Sequence, residues 1–374
     1  MNNENKVGRK PKKRIKIAID AGSLSDPNTN SQAGVFTLTL NLIEELLRLD
    51  KRNQYLIFGF SNIVKAALPK RDRRISHVVL PKYAFKSVWL PLAFKIYKPD
   101  VFLAMSQAMP STAPKTLGFI YDLAFLKFPK MYKNAAELKN NTEQLMKNAH
   151  HIITISKSSA LDIKRVYAFD EKRLSILYPG VNRIFKSDGS KYIDTSPYFL
   201  YVGALKKTKN IITLISAFAE FLHMVNKPFK LILVGSTQKL DPEIKSHIQK
   251  LSLHDMVILK DFAKTEDLPK YYRGAFSFVS VALAEGFGLP ILEAMRCGVP
   301  VIAAQNSSMP EIVGNAGILV DGQSTQSIAT GMLLLSNNES IRKKYAEHGL
   351  KQSKQFSWTK FAHGVLELVY EIIN

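Results

Sequence analysis

The 374-residue sequence contains a single cysteine, Cys297, and far fewer acidic than basic residues. One cysteine cannot form a disulfide within the chain, which indicates a reducing compartment. The eight histidines are scattered and no D-x-D pair occurs, so the sequence offers no dedicated metal site. No apolar run reaches the ~18 residues that a membrane span needs. These absences argue against a disulfide-stapled secreted domain, a zinc module and an integral membrane protein.

The N-terminal residues are basic and polar, and no apolar stretch follows them. We therefore expect no secretory signal peptide and a cytoplasmic protein. Residues 1–13 are predicted to form a disordered basic tail. A solvated tail is favoured over one that contacts phosphates.

The charge balance is unusual, because 52 Lys and Arg against 31 Asp and Glu give a formal net charge of +21. Such a charge favours anionic partners, whether nucleic acid, acidic lipid or phosphorylated substrates. A Lys-rich solvated surface that reflects genome composition is the alternative. No nucleic-acid-binding module is visible and the basic residues are spread out, so we do not expect a nucleic-acid partner.

Short apolar runs suited to buried parallel strands alternate with helical patterns along the chain. The candidate strands are residues 15–20, 55–60, 77–80, 101–104, 117–121, 152–155, 174–178, 198–202, 230–234, 256–259, 276–280, 299–303 and 318–320. This alternation predicts an α/β protein with two Rossmann-like doubly wound parallel-sheet domains. We expect their ligand at the carboxyl ends of the strands, in a central cleft that the domains face.

The predicted domain boundary lies in a polar segment with scattered Gly and Pro, residues 185–197. Residues 14–190 are assigned to an N-terminal domain and residues 191–358 to a C-terminal domain. The C-terminal helix, residues 359–374, is expected to complete the N-terminal domain.

Residues 81–98, PKYAFKSVWLPLAFKIYK, mix aromatic and aliphatic residues with lysines. The segment is compatible with a membrane interface. The favoured interpretation is a core helix broken by Pro91, whose lysines reach water at its edges.

Residues 285–298, EGFGLPILEAMRCG, predict a glycine-bearing loop that leads into a helix, with Pro290 in its first turn and Gly298 as a left-handed cap. Such a helix start offers N–H groups and a positive dipole end to an anion. Glu285 and Glu293 flank it, and an ionised carboxylate can accept two hydrogen bonds from a vicinal diol. A phosphate between two diols describes a nucleotide sugar. A helix start with two surface glutamates is the alternative.

A second candidate phosphate site follows the strand at residues 198–202. Gly203 ends this strand, and Lys206, Lys207 and Lys209 come directly after it. A glycine turn, lysines and a helix start together suit a phosphate, and a solvated loop is the alternative.

The order of these pieces resembles the retaining, metal-independent glycosyltransferases of the GT-B fold, family four. The resemblance is carried by the Glu285/Glu293 pair, the GFGLP loop, and the CGVPVIA, MPEIVG and AGILVDG segments that follow. It extends to residues 201–203, to Lys209 and Asn210, and to the opening IAIDA.

The resemblance implies that the N-terminal domain binds the acceptor and the C-terminal domain the donor, and it also implies how the donor is held. Glu285 would bond a hydroxyl of the donor sugar, Glu293 the ribose, and Lys209 the diphosphate. An arginine usual near Lys209 is replaced here, and Lys206 and Lys207 are the candidates for the missing charge. The donor-binding residues implied are Gly34, Gly203, Lys207, Lys209, Glu285, Gly286, Phe287, Gly288, Leu289 and Glu293.

The N-terminal half departs from the family pattern. Gly34 matches the family's N-terminal glycine loop, but the second glycine of that loop is lost. Tyr121 stands where a histidine usually precedes Asp122, and a phenol is no base at neutral pH. Tyr121 and Asp122 join Glu285 and Lys209 as candidate catalytic residues, with turn capping as the alternative role for Asp122.

The resemblance implies transfer of a hexose, from GDP-mannose or a UDP-hexose, to a hydroxyl of a glycan or lipid-linked acceptor in cell-surface polysaccharide synthesis. It implies no cofactor and no metal. It also implies a possible peripheral contact with the anionic inner face of the plasma membrane. Two alternatives remain: a repurposed nucleotide-sugar-binding protein without transfer activity, and a basic nucleic-acid-binding protein.

Overall fold

The computed structural model describes residues 13–25, 34–61, 72–261 and 263–374. It divides into two compact units, of which the second is Val181–Phe356 and the first is the chain up to Gly180 together with Ser357–Asn374. This division and the sequence-based boundary after residue 190 both lie in the segment between two strands, residues 177–197. The tail predicted for residues 1–13 lies outside the described residues except for Lys13.

The first unit contains a seven-stranded sheet in the order β3-β2-β1-β4-β5-β6-β7, with every pair parallel. Its inner strands are apolar and buried on both faces, as parallel sheets covered by helices require. The strands are β1 Lys16–Asp20, β2 Gln54–Gly59, β3 Ile75–Val79, β4 Val101–Ala104, β5 Lys115–Ile120, β6 His151–Thr154 and β7 Leu174–Ile176.

The longer helices of the first unit each bury apolar residues in its core. α1 is typical: Leu38, Leu42 and Leu46 recur at helical spacing and are buried. The helices are α1 Gly34–Leu49, α2 Leu90–Tyr97, α3 Ala124–Lys127, α4 Ala135–Asn148 and α5 Lys157–Tyr167, with a π-helical turn at Phe85–Trp89 and short 3₁₀ turns at Gly22–Ser25, Pro129–Met131 and Glu171–Arg173.

The second unit contains a six-stranded parallel sheet in the order β10-β9-β8-β11-β12-β13. This order reverses between β8 and β11, as in doubly wound nucleotide-binding folds. The strands are β8 Tyr198–Val202, β9 Lys230–Val234, β10 Val257–Lys260, β11 Ser277–Ser280, β12 Val301–Ala304 and β13 Gly317–Val320.

Seven helices surround the second sheet in the described part of the chain. They are α6 Ile211–His223, α7 Pro242–Lys250, α8 Leu268–Gly274, α9 Leu289–Arg296, α10 Met309–Val313, α11 Thr325–Asn337 and α12 Glu339–Ser353, with 3₁₀ turns at Lys207–Lys209 and Thr237–Lys239. None of the helices that the structure describes, in either unit, is long and apolar enough to cross a membrane.

The last helix, α13 Trp358–Ile373, returns to the first unit. Thr359 donates to the Glu45 carboxylate of α1 at 2.9 Å, and the Asn53 amide donates to the Tyr370 hydroxyl at 2.9 Å. Seven apolar residues of α13 are buried, so the helix is part of the first unit's core.

The sequence-based fold class is confirmed. All thirteen predicted strands are present, with ends displaced by at most two residues. Two Rossmann-like parallel sheets follow from the alternation of both-face-buried strands with amphipathic helices.

The core of the second unit is centred on Phe199 of β8, which is fully buried. Its ring lies 5.1 to 6.4 Å from four other phenylalanine rings, partly edge-to-face, as aromatic quadrupoles prefer. The four are Phe218, Phe221, Phe229 and Phe276.

We predict that Phe199→Ala lowers the free energy of unfolding by about 3–5 kcal/mol, because the ring leaves a cavity that its neighbours fill only in part. Urea unfolding followed by circular dichroism measures this. Ile193→Ala, an exposed position of the same unit, is the matched control and should change stability by about 0.5 kcal/mol or less. An equal effect of both substitutions would contradict the assignment of the core.

Candidate active site

The predicted donor-binding residues of the second unit gather where its strand order reverses. Gly203 follows β8 directly, and Glu285 lies in the loop after β11, the strand that pairs with β8. Parallel strands place their carboxyl ends at one sheet edge, and ligands of such sheets bind outside the reversal.

Gly203 has φ +152°, a backbone conformation that residues with side chains rarely adopt. Its N–H donates to the Val234 carbonyl at 2.9 Å, and an added Cβ would lie 2.8 Å from the Tyr201 hydroxyl. Glycine therefore allows the chain to make a sharp turn directly after β8. The following 3₁₀ turn, Lys207–Lys209, ends at Asn210 in the left-handed region.

Lys209 and Glu285 form an ion pair in which the Lys209 ammonium donates to the Glu285 carboxylate. Both side chains are about one-fifth exposed, at 21% and 22%. Burial, and then the nearby negative charge of Glu285, raises the pKa of the Tyr201 hydroxyl well above its usual range. The structure thus brings together the predicted phosphate-binding lysine and the predicted sugar-binding carboxylate.

The loop that carries Glu285 is held by hydrogen bonds to its backbone. The Asn210 amide donates to the carbonyls of Val281, at 3.1 Å, and Gly322, at 2.6 Å. The buried Ser308 hydroxyl lies 2.8 Å from the Glu285 carbonyl and 2.9 Å from the Phe287 carbonyl. Because these carbonyls have partners, the loop can be buried in a fixed conformation.

The helix that follows this loop begins and ends as the sequence predicts. Gly288 precedes α9 with φ +102°, Pro290 lies in the first turn, and Gly298 has φ +73° after the last turn. Leu289 is the first helical residue, so the positive end of the helix dipole lies at Gly288 and Leu289. The Phe287 side chain is buried, with its ring centre 5.7 Å from that of Phe356.

Glu293 lies in the middle of α9 and accepts a hydrogen bond from the Tyr272 hydroxyl at 2.7 Å. Burial raises the pKa of Glu293 to about 7, while the bond from Tyr272 acts in the opposite direction. The carboxyl group is therefore poised to exchange a proton near neutral pH.

Lys207 is engaged elsewhere. Its ammonium lies 2.6 Å from the Glu243 carboxylate at an exposed position of α7. The structure therefore pairs Lys209, but not Lys207, with Glu285. A role for Lys207 in donor binding stays a prediction.

The remaining predicted residues, Gly34, Tyr121 and Asp122, belong to the first unit. The buried Tyr121 hydroxyl donates to the Met105 carbonyl at 2.6 Å. Burial, and then the Asp20 carboxylate, raises the pKa of this phenol. Asp122 accepts from the Ala124 N–H at 2.9 Å, which is the turn-capping contact expected as its alternative role. Gly34 is the first residue of α1.

Sequence reasoning missed several residues that shape the two sheet edges. In the first unit Asp20, at the end of β1, is buried and accepts from the Gly22 N–H at 3.0 Å and from the Ser106 hydroxyl. An aspartate that ends an apolar strand was the available signal for Asp20. Tyr272 and Ser308, which act in the second unit, had no local signal because their partners are distant in sequence.

Within the part of the chain that the structure describes, no three His, Cys, Asp or Glu side chains come together in a way that could hold a metal ion. At the strand-order reversal of the second unit, Lys209 and Glu285 bring two opposite charges together.

Residues 183–352 match the family model described as glycosyl transferases group 1. The chain is 27% identical over 284 residues to O-antigen chain mannosyltransferase B of Escherichia coli, a match that covers 71% of this chain and 73% of that protein. It is also 27% identical over 271 residues to the serotype-specific mannosyltransferase WbdA of Escherichia coli. That match covers 68% of this chain and only a third, 33%, of the longer protein.

Solved structures resemble the fold over nearly the whole chain. Sucrose-phosphate synthase from Thermosynechococcus elongatus aligns with a TM-score of 0.77 at 20% identity, covering 96% of this chain and 99% of that one. HepE of Anabaena, solved with UDP-glucose, aligns with a TM-score of 0.76 at 17% identity, covering 96% and 100%.

The matched family segment contains Lys209, Glu285 and Glu293, and the two Rossmann-like sheets agree with the fold of these structures. Residues 183–352 are thus similar in sequence to the glycosyl transferases of group 1, and the chain has the fold of GT-B enzymes.

Proposed function

We propose that this glycosyltransferase is a retaining, metal-independent hexosyltransferase of cell-surface polysaccharide synthesis. It transfers a hexose from a nucleotide-diphosphate sugar to a hydroxyl of a glycan or lipid-linked acceptor. The observation that carries the proposal is the Lys209–Glu285 pair at the strand-order reversal of the second unit.

The two charged groups of the pair contact different parts of the donor. The Lys209 ammonium neutralises the diphosphate as it leaves the anomeric carbon, and the N-terminus of α9 adds the positive end of its dipole. The Glu285 carboxylate accepts a hydrogen bond from a sugar hydroxyl. When donor is absent the two groups satisfy each other, so binding exchanges one charge-assisted bond for others rather than burying an unpaired charge.

The proposed reaction uses no protein nucleophile. The acceptor oxygen bonds to the anomeric carbon on the face from which the diphosphate departs, and its proton passes to the departing phosphate oxygen. Configuration is therefore retained. The protein's contribution is to position the two substrates and to stabilise the charge of the leaving group.

GDP-mannose is the first donor to test, because two similar proteins are named mannosyltransferases. UDP-hexoses follow, because HepE was solved with UDP-glucose. The same relatives, one of them named for the O-antigen chain, support a polysaccharide acceptor. We place the enzyme in the cytoplasm, at the inner face of the plasma membrane.

A second candidate is a nucleotide-sugar-binding protein without transfer activity. One observation favours it: the Tyr121 hydroxyl already donates to the Met105 carbonyl, so it is not available to a sugar oxygen in this conformation. This candidate requires donor binding without release of nucleoside diphosphate.

A thermal-shift panel of GDP- and UDP-sugars, run in EDTA because the proposal needs no metal, tests donor binding. We expect one nucleotide class to stabilise the protein, by about 2.7 kcal/mol at 100 times its dissociation constant. Incubation with that donor and acceptor extract should then release nucleoside diphosphate and give a product of retained configuration. Binding without release would favour the second candidate, and no binding of any nucleotide sugar would refute both.

Glu285→Gln should keep the fold and lower turnover by roughly 10²-fold or more, because the lost charge stabilises the transition state more than the bound donor. Glu243→Gln, which removes the exposed partner of Lys207, is the matched control and should keep turnover within about twofold. Turnover is measured as nucleoside diphosphate released at saturating donor. Wild-type turnover by the Glu285→Gln variant would refute the proposed role of Glu285.

The affinity for intact nucleotide sugar should rise between about pH 6 and pH 8, because Glu293 accepts from the ribose diol only as a carboxylate. Since burial raises the pKa of Glu293 to about 7, affinity falls as pH drops through that value. Titration calorimetry should show a flat profile for Glu293→Gln. Tyr272→Phe should move the midpoint to higher pH, because the bond that lowers the pKa is removed. A flat wild-type profile would contradict this role of Glu293.

A further inference from the structure

One helical segment of the first unit is apolar on two opposite faces. It comprises the π-helical turn Phe85–Trp89 and α2, and it follows the edge strand β3. Its inner face buries Phe85, Leu90, Ala93 and Phe94 in the core of the unit. A helix with one buried apolar face is expected to be polar on the other.

The outer face instead exposes Val88, Leu92 and Ile96, a set that we name the apolar stripe. Their exposed fractions are 52%, 45% and 65%, and their spacing of four places them on one side of the helical run. Single exposed apolar residues are ordinary, but contiguous ones indicate a binding surface. Among the described residues, six of the fifteen exposed large hydrophobic side chains lie between residues 79 and 97.

The segment that carries the apolar stripe has an excess of positive charge. Residues 73–99 contain six Lys and Arg and no Asp or Glu, with Asp72 and Asp100 at either side, and of the six only Arg74 is paired with a described carboxylate, that of Asp72. Lys82, Lys95 and Lys98 are exposed, and none of them forms an ion pair with a carboxylate that the structure describes. Lys95 lies on the same side of α2 as Leu92 and Ile96. The surface therefore combines an apolar strip with unbalanced positive charge.

The apolar stripe and its positive charge together distinguish between two possible binding partners. A second copy of the chain would bring like charges together across a symmetric interface. A bilayer with anionic headgroups instead accepts apolar side chains at the acyl boundary and lysines at the phosphates. Tyr83, which is 91% exposed and precedes the stripe, has the amphipathic ring that favours this boundary.

We infer that the apolar stripe, with Lys82 and Lys95, is the surface by which the first unit docks on an anionic lipid bilayer. The inference rests on the proposed function in one respect: docking would bring the enzyme to the same bilayer that holds its lipid-linked acceptor. The inner face of α2 holds the stripe on the sheet, because the Phe94 ring packs against those of Phe58 on β2 and Phe102 on β4.

Sedimentation of the full chain with phosphatidylglycerol–phosphatidylcholine vesicles at low salt tests the inference. We expect binding to the anionic vesicles that falls steeply with salt and is weak on pure phosphatidylcholine. Lys82→Gln with Lys95→Gln should weaken binding by about 25-fold, from about fivefold per lysine near the surface. Leu92→Gln with Ile96→Gln should weaken it at least about tenfold, because two aliphatic side chains no longer insert.

The matched control is Leu161→Gln with Val166→Gln on α5, whose exposed fractions of 60% and 51% are similar. It should bind vesicles as the wild type does. Equal loss in control and stripe variants, or unchanged binding in the stripe variant, would overturn the inference. The inference would also be overturned if the protein does not bind vesicles and sedimentation equilibrium shows a dimer that the stripe substitutions dissociate.

The donor thermal shift, measured on the same variants, separates this inference from the proposed function. The stripe variant should keep the full shift, since Lys209 and Glu285 are untouched. Vesicle binding without any donor shift would refute the transferase proposal and leave the docking surface standing. A donor shift without vesicle binding would do the reverse.

Discussion

The pairing of β8 with β11 is the contact on which the site of this protein depends. The two strands are parallel, with Phe199 opposite Ser277 and Leu200 opposite Phe278. Their carboxyl ends therefore lie at one edge, and the loops that leave them carry Lys209 and Glu285, 76 positions apart in sequence, into one ion pair. A shift of this pairing by one residue would turn every side chain of the strand to the other face of the sheet.

The hydrogen bonds around the site support the same geometry at a finer scale. A partly buried ion pair costs desolvation, and its attraction compensates only when the partners are held in place. The Asn210 side chain supplies part of that restraint, because it follows Lys209 directly and bonds the loop that carries Glu285. Ser308 supplies the rest from the far side of the same loop. In the proposed function a donor therefore meets charges that are already positioned, which lowers the ordering cost of binding.

The fold was predictable from sequence because its signal is local. A parallel strand buried on both faces is a short apolar run, and thirteen such runs separated by helical patterns leave few other architectures. The start and stop of α9 were predictable for the same reason, since Pro290 and Gly298 act on their own backbone. The contacts between side chains that are distant in sequence were not predictable. That Glu243 holds Lys207, that Met105 holds Tyr121, and that Tyr272 reaches Glu293 are consequences of tertiary packing.

Residues 81–98 illustrate a limit of a different kind. Sequence composition presents a core helix and a membrane-interface helix as alternatives, because both are apolar with lysines at their edges. The structure combines them: Leu90 and Phe94 are buried on one side of α2, and Leu92 and Ile96 are exposed on the other. Exposed aliphatic side chains carry a solubility cost that polar residues at the same positions would avoid. Because helix–sheet packing needs only the inner face, the fold gives no reason for an apolar outer face, and the docking surface that we infer is such a reason.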